Sequence, residues 1–146
     1  MLVVFRIGDQ RCAVEVNHVR RAMRVGKITP LIDMPAAVLG VADIQGKPLL
    51  VISGHVMLGG AADTATPDEN APILVIDTDA GSVALLTDKI EGVMPPDPDP
   101  AQTLPGIVRV QTQLVTYVKP DQLIDPAIMQ LLSGNSLQEA AEAKQL

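Results

Sequence analysis

The chain repeats itself, and the repeat restricts its fold more than any other feature does. Displaced by 71 positions, Ala13-Val14-Glu15-Val16-Asn17-His18-Val19 falls on Ala84-Leu85-Leu86-Thr87-Asp88-Lys89-Ile90, and Leu2-Val3-Val4-Phe5 falls on Ile73-Leu74-Val75-Ile76. Met23 falls on Met94 in the same register. A displacement of 66 lays "GVADIQGKPLLVIS", Gly40 to Ser53, on "GIVRVQTQLVTYVK", Gly106 to Lys119, with Gln45 over Gln111. Each half thus carries a hairpin, a connector, a glycine and a second hairpin in the same order. The 146 residues suffice for one ordinary domain or two very small ones. Units this small are marginal alone, so two similar β units packed on each other are expected.

Strand signals dominate the first 125 residues. "LVVFRIG", "RCAVEV", "ILVID", "SVALLT", "GIVRVQ" and "LVTYVK" are short Val/Ile/Leu-rich runs broken by Gly, Asp and Pro, the spacing of a small all-β domain or barrel. Before Pro120 only Asn17 to Met23 reads as a helix. Two linkers interrupt the plan: Gly59 to Pro72 is polar, and Met94 to Gly106 is Pro-rich and expected to be extended, with the acidic "PPDPDP" solvated. The tail differs in kind. Asp125 caps a predicted helix with Pro126 at its first position, Ile128, Leu131 and Leu132 on one face, and Gly134 as its stop. Ser136 and Glu139 form the capping box of a last helix through about Lys144. The expected organisation is a β module over residues 1–125, built of two interleaved barrel subdomains, with a helical extension over 126–146.

Charge and residue types exclude several partners. With 17 acidic against 11 basic residues the net charge is −6, the wrong sign for a phosphate-backbone binder, and Phe5 and Tyr117 are the only aromatics available to stack on bases. Cys12 is the single cysteine, which rules out an intrachain disulfide and a cysteine metal cluster. The N-terminus meets Arg6 too soon for a signal sequence, and no apolar run approaches the ~20 residues of a membrane span. A soluble, cytoplasmic protein that does not insert in a membrane is expected.

No constellation of catalytic groups emerges. His18 and His55 are the only histidines, and Ser53 and His55 lie two residues apart outside any Gly-x-Ser-x-Gly elbow. "DTDAG", Asp77 to Gly81, has its glycine one place early for a calcium loop and reads better as a hairpin turn. Cys12, mid-strand, reads as a small core residue. No cofactor or metal is expected, and an interaction module accounts for the residues better than an enzyme does. A small hydrolase or ligand-binding barrel is the alternative from another class.

The hairpin from Gly40 to Ser53 is apolar on both faces. With the turn at Gln45-Gly46, alternation puts Gly40, Ala42, Ile44, Leu49 and Val51 on one face and Leu39, Val41, Leu50 and Ile52 on the other. One face fills a barrel; the other packs within the chain or against a partner, and intramolecular packing is the simpler reading.

At these residues the chain resembles the CheW family, the adaptors of bacterial chemotaxis arrays. The matching features are "AVEVNHVRRAMR" after the first hairpin, "ITPL" followed by "PAAVLGV", the hairpin "GVADIQGKPLLVIS" with "LGG" behind it, "ILVID" with "VALLTDKIEGV", and "GIVRV" with "LVTYVKPDQLI". The resemblance covers almost all of Leu2 to Leu123. It implies two SH3-like five-stranded β-barrels, no catalytic activity, and a bridging role at membrane-associated receptor arrays. The implied partners are the cytoplasmic tip of a chemoreceptor and the regulatory domain of a CheA-type histidine kinase. Receptor contact is implied in the groove between the barrels, with Val19, Arg21, Leu39, Gly40, Val41, Asp43, Gln45 and Gly46 as candidate residues. Three positions depart from the family pattern: Asp43-Ile44-Gln45-Gly46 replaces Asn-x-Arg-Gly, Arg21 stands where an acid is usual, and Ser53 replaces an aspartate. These departures point to a different receptor, or to a divergent module that regulates another signalling protein.

Overall fold

The computed structural model describes residues 1–59, 68–98 and 105–133. The stop at Gly134 and the capping box at Ser136 and Glu139 lie outside them, as do 60–67 of the first linker and 99–104 of the second. Eleven strands are described: β1 (Leu2–Ile7), β2 (Gln10–Glu15), β3 (Val19–Arg24), β4 (Ile28–Thr29), β5 (Val38–Ile44), β6 (Lys47–Ser53), β7 (Pro72–Thr78), β8 (Gly81–Leu86), β9 (Lys89–Met94), β10 (Ile107–Val110) and β11 (Gln113–Tyr117). A short helix α1 (Gly54–Met57) follows β6, and α2 (Pro126–Ser133) follows a 3-10 turn at Pro120–Leu123.

The repeat is visible in the pairing. One sheet has the order β10-β11-β2-β1-β9 and the other β3-β7-β8-β6-β5-β4; apart from the two-residue β4 they are the same arrangement. Arg6 pairs with Arg11 as Asp77 pairs with Ser82, and the parallel pair Tyr117 with Ala13 has its counterpart in Val51 with Ala84. The repeats exchange parts: hairpin β1–β2 joins β9, β10 and β11, whereas hairpin β7–β8 joins β3, β5 and β6. The mainly β architecture of two packed units is therefore the one expected.

Exchange explains why the strands are apolar on both faces. In β1, Leu2 and Val4 face a cluster inside their own sheet with Ala13, Val110 and Val115, while Val3, Phe5 and Ile7 face a cluster between the sheets. In β7, Ile73 and Val75 point inward and Leu74 and Ile76 point between the sheets. The cluster between the sheets holds sixteen buried residues against seven and five in the inner ones, so the sheets share a true core. At roughly 1.5–3 kcal/mol for each large side chain fully buried, neither sheet is expected to persist without the other.

The opening hairpin obeys the predicted register, with Ile44 opposite Lys47, Asp43 opposite Pro48, Ala42 opposite Leu49 and Val41 opposite Leu50. Ala42, Ile44 and Val51 fill the inner cluster, and Leu50 and Ile52 are fully buried between the sheets, so the second face is used inside the chain. Leu39 departs from its predicted face and packs on the inner cluster. The cause is a bulge between Val38 and Gly40, which shifts the alternation by one residue.

The helix predicted at Asn17 to Met23 does not form. Val16–His18 is a single 3-10 turn, and the chain continues as β3 against β7. The spacing of Val19 and Met23 imitates a helical face because a bulge between Val19 and Arg21 reverses the strand's alternation. Val19 therefore faces the core between the sheets, and Met23 the interior of its own sheet. Helix α2 begins as predicted, with the Ile128 N–H donating to Asp125 Oδ1 at 2.8 Å. Ile128 is fully buried in the core between the sheets.

Candidate protein-binding site

The tip of the β5–β6 hairpin is a tight turn with both central residues in the left-handed region, Gln45 at φ 53° and Gly46 at φ 84°. That is the twist a two-residue hairpin favours, and Asp43 braces it: its Oδ1 accepts the Gly46 N–H at 2.8 Å. Gln45 is left exposed, and its side-chain amide makes no hydrogen bond among the described residues. Behind the tip, Gly40 is buried where β4 crosses it; a Cβ there would lie 2.3 Å from the Thr29 carbonyl oxygen, and its φ of 149° disfavours any side chain.

The structure thus divides the candidate residues. Arg21 and Gln45 line one recess, and Asp43 and Gly46 shape the turn that carries Gln45. Leu39 and Val41 are half-buried against the inner and the shared core respectively. Val19 is half-buried at the edge of the shared core, where the chain crosses from one sheet to the other.

That recess, about 200 Å³, is the mouth of the second sheet's interior. Arg20, Arg21, Gln45 and Lys47 stand around it, Ile44, Leu49 and Val75 form its apolar floor, and Ser82 lies at its side. Arg20 Nε donates to Asp77 Oδ2 at 3.1 Å, and Ser82 Oγ donates to Asp77 Oδ1 at 2.5 Å. The Ser82 hydrogen bond holds the Asp77 carboxyl below its ordinary range against the opposing effect of burial, with Arg20 adding to the lowering. Arg21 and Lys47 make no ion pair among the described residues.

The first sheet has the same mouth with other contents. Its equivalents of Asp77, Ser82, Arg20, Gln45 and Lys47 are Arg6, Arg11, Glu91, Gln111 and Gln113. Arg6 Nε donates to Glu91 Oε1 at 2.6 Å, so the ion pair is conserved with its sign reversed. Arg11 extends across the opening to Glu91 Oε2 at 2.8 Å and to the side-chain oxygens of Gln111 and Gln113. Burial pulls the Glu91 carboxyl up, but hydrogen bonds from Arg6 and Arg11 outweigh it and leave the group below its ordinary range. The acidic "PPDPDP" is more than solvated: Asp97 accepts the N–H groups of Gln111 and Thr112 at 3.0 and 2.9 Å, bracing the second hairpin from outside. Sequence reasoning missed both mouths. The signal was present in the repeat, since Arg11 falls over the much smaller Ser82 and Arg21 over Gly92.

The remaining polar groups have local roles. Ser53 is buried and its Oγ caps α1 by accepting the Val56 N–H at 3.4 Å; His55 Nε2 lies 3.0 Å from Asp88 Oδ2, an oxygen that also accepts the Gly8 N–H. "DTDAG" is the β7–β8 turn, in which the Ala80 N–H donates to Thr78 Oγ1. Cys12 is buried, and burial pushes its thiol up to about 11. A second cleft of about 340 Å³ opens between the sheets, lined by Phe5, Ile7, Met57, Leu85, Val118 and Leu123 among others. At one end of the β2-β1-β9 strip, Met1, Val16 and Val93 are exposed at 56%, 37% and 53%. Among the described residues no helix is long and apolar enough to cross a membrane.

Fold and surface together define a duplicated, strand-exchanged β module with a polar cluster at the mouth of each sheet. The sequence model of the CheW-like domain matches residues 1–140, and the chain belongs to that family. It is 28% identical over 134 residues to the chemotaxis protein CheW of Rhizobium meliloti, covering 84% of this chain and 85% of that one. It is 30% identical over 106 residues to a probable chemotaxis protein CheW of Rhizobium etli, covering 73% and 67%. The crystal structure of the scaffolding protein TtCheW from Thermoanaerobacter tengcongensis has the same fold, with TM-score 0.70 and 17% identity over 87% of this chain and 93% of that one.

Proposed function

We propose that this chain is a non-catalytic chemotaxis adaptor that couples the cytoplasmic tip of a chemoreceptor to the regulatory domain of a CheA-type histidine kinase, at membrane-associated receptor arrays. Membership of the CheW-like family over residues 1–140 carries the reading. The surface supports it. Apolar side chains lie exposed beside the crossing of the two sheets, where a partner helix would bury them, and Val19 enters the core at that crossing. Receptor contact is assigned to Val19, Arg21, Asp43, Gln45 and Gly46, with Leu39, Gly40 and Val41 shaping the strand behind them. The departures at Arg21 and Gln45 favour a receptor outside the usual set, since Gln45 lacks the bidentate, charged fork of an arginine.

The test is binding of the purified protein, measured calorimetrically, to a receptor-tip fragment and to the kinase regulatory domain from the same organism. Dissociation constants of about 100 µM or tighter are expected, as for small signalling interfaces. Absence of both refutes the adaptor. Gln45→Arg should change the receptor affinity while moving the melting temperature by no more than about 2 °C, because the side chain is exposed.

A further inference from the structure

We infer that the mouth of the second sheet is a receptor for an acidic side chain, a glutamate or aspartate that the partner inserts among Arg20, Arg21 and Lys47. The inference deepens the adaptor reading and rests on it, naming the chemistry of the receptor contact.

Comparison of the two mouths carries the argument. They are built from equivalent positions, yet the first is spanned by its own Arg11 while the second has Ser82 at that place and stays open by about 200 Å³. A largely buried charge requires a matching environment, and the first mouth supplies most of it: the terminal nitrogens of Arg11 find the Glu91 carboxylate and two glutamine oxygens, and its Nε alone has no partner among the described residues. The second mouth inverts that environment. Arg20 replaces Glu91, Lys47 replaces Gln113, and Arg21 replaces Gly92, so the side chain that fits there is anionic. Asp77 does not serve as that anion, because it accepts from Ser82 and from Arg20 on the strand side.

The charge pattern of the chain agrees. Between Val16 and Lys47, five of the 11 basic residues meet two acidic ones, Asp33 and Asp43, in a protein of net charge −6. Such a basic island on an acidic body attracts a carboxylate and repels an extended polyanion such as nucleic acid. The floor of Ile44, Leu49 and Val75 lets the stem of the inserted side chain lie on apolar surface, where the ion pairs are less screened than in water.

The experiment measures affinity for the receptor-tip fragment and, separately, for the kinase regulatory domain. Ser82→Glu plugs the mouth with an internal carboxylate, and Arg21→Glu with Lys47→Glu reverses its charge. Each is expected to weaken receptor binding at least tenfold with kinase binding unchanged; the charge reversal keeps its melting temperature, whereas Ser82→Glu lowers it, because it removes the Ser82–Asp77 hydrogen bond and sets a second carboxylate beside Asp77. Raising sodium chloride from 50 to 300 mM should weaken the wild-type receptor complex about fivefold. Unchanged receptor affinity in both variants overturns the inference and leaves the adaptor standing; a wild type that binds neither partner overturns the adaptor itself. Displacement of the fragment by an equimolar 20-base-pair DNA duplex also overturns the inference, since it assigns the mouth to phosphate.

Discussion

Removing the carboxylate of Asp97 should loosen the β10–β11 hairpin about twice as much as removing that of Asp43 loosens the β5–β6 hairpin, the second and first of this pair. The first hairpin has glycine at its second central position, where φ is 84°, and one hydrogen bond from Gly46 to Asp43 suffices. The second has Gln111 at φ 52° and Thr112 at φ 65°; a β-branched residue there is held against roughly 1–2 kcal/mol of steric preference. Asp97 supplies the restraint, accepting both N–H groups at 3.0 and 2.9 Å. Two charge-assisted bonds at a half-exposed site are worth on the order of 1 kcal/mol each, so Asp97→Ala should cost about 2 kcal/mol, or about 4–8 °C in melting temperature. Asp43→Ala should cost about 1 kcal/mol. The diagnostic step is a transplant: Arg109→Asp with Thr112→Gly gives the second turn the local solution of the first. In the Asp97→Ala background it should recover at least half of the loss. Urea unfolding monitored by circular dichroism reads all of these. A loss below about 0.5 kcal/mol for Asp97→Ala, or no recovery on transplant, would refute the assignment of Asp97 as the brace of this turn.

Other expectations concern packing and charge. Gly40→Ala, which sets a methyl 2.3 Å from the Thr29 carbonyl oxygen, should destabilise by roughly 2–5 kcal/mol in urea titration, so lost binding in that variant reports a displaced β4. A loss below about 1 kcal/mol would show that β4 yields easily. Glu91 titrates below its ordinary range in the folded chain, so its contribution is complete above the unfolded value near 4.3 and disappears as pH falls through the lower folded value. Melting temperature should therefore drop on going from about pH 5 to pH 3, and Glu91→Gln should flatten part of that slope while destabilising the protein at pH 7. An unchanged slope would mean that the Arg6–Glu91–Arg11 cluster contributes nothing to acid sensitivity.

Much of the fold was legible because strand repeats and turns are local. Ile44 opposite Lys47, the left-handed Gln45-Gly46 turn and the cap at Asp125 follow from adjacent residues. The β3 strand was not legible, because its bulge at Arg20 reverses the apolar alternation and produces a helix-like spacing. Of the candidate residues, Arg21 and Gln45 line one recess, but Arg20, Lys47 and Ser82 were invisible as their neighbours.

The sequence by itself determined that this chain is two copies of one β unit, too small to stand apart, with a family pattern running through both. Only the tertiary structure decided how the copies combine: each lends its first hairpin to the other, burying the strands on both faces. It also decided what the repeat's differences mean. Arg11 and Glu91 are 80 positions apart and Gln113 is farther still, and their roles exist only once the sheet curls them to one mouth. The same curl leaves Ser82 beside three cations and an open space, because a short side chain cannot span what an arginine can.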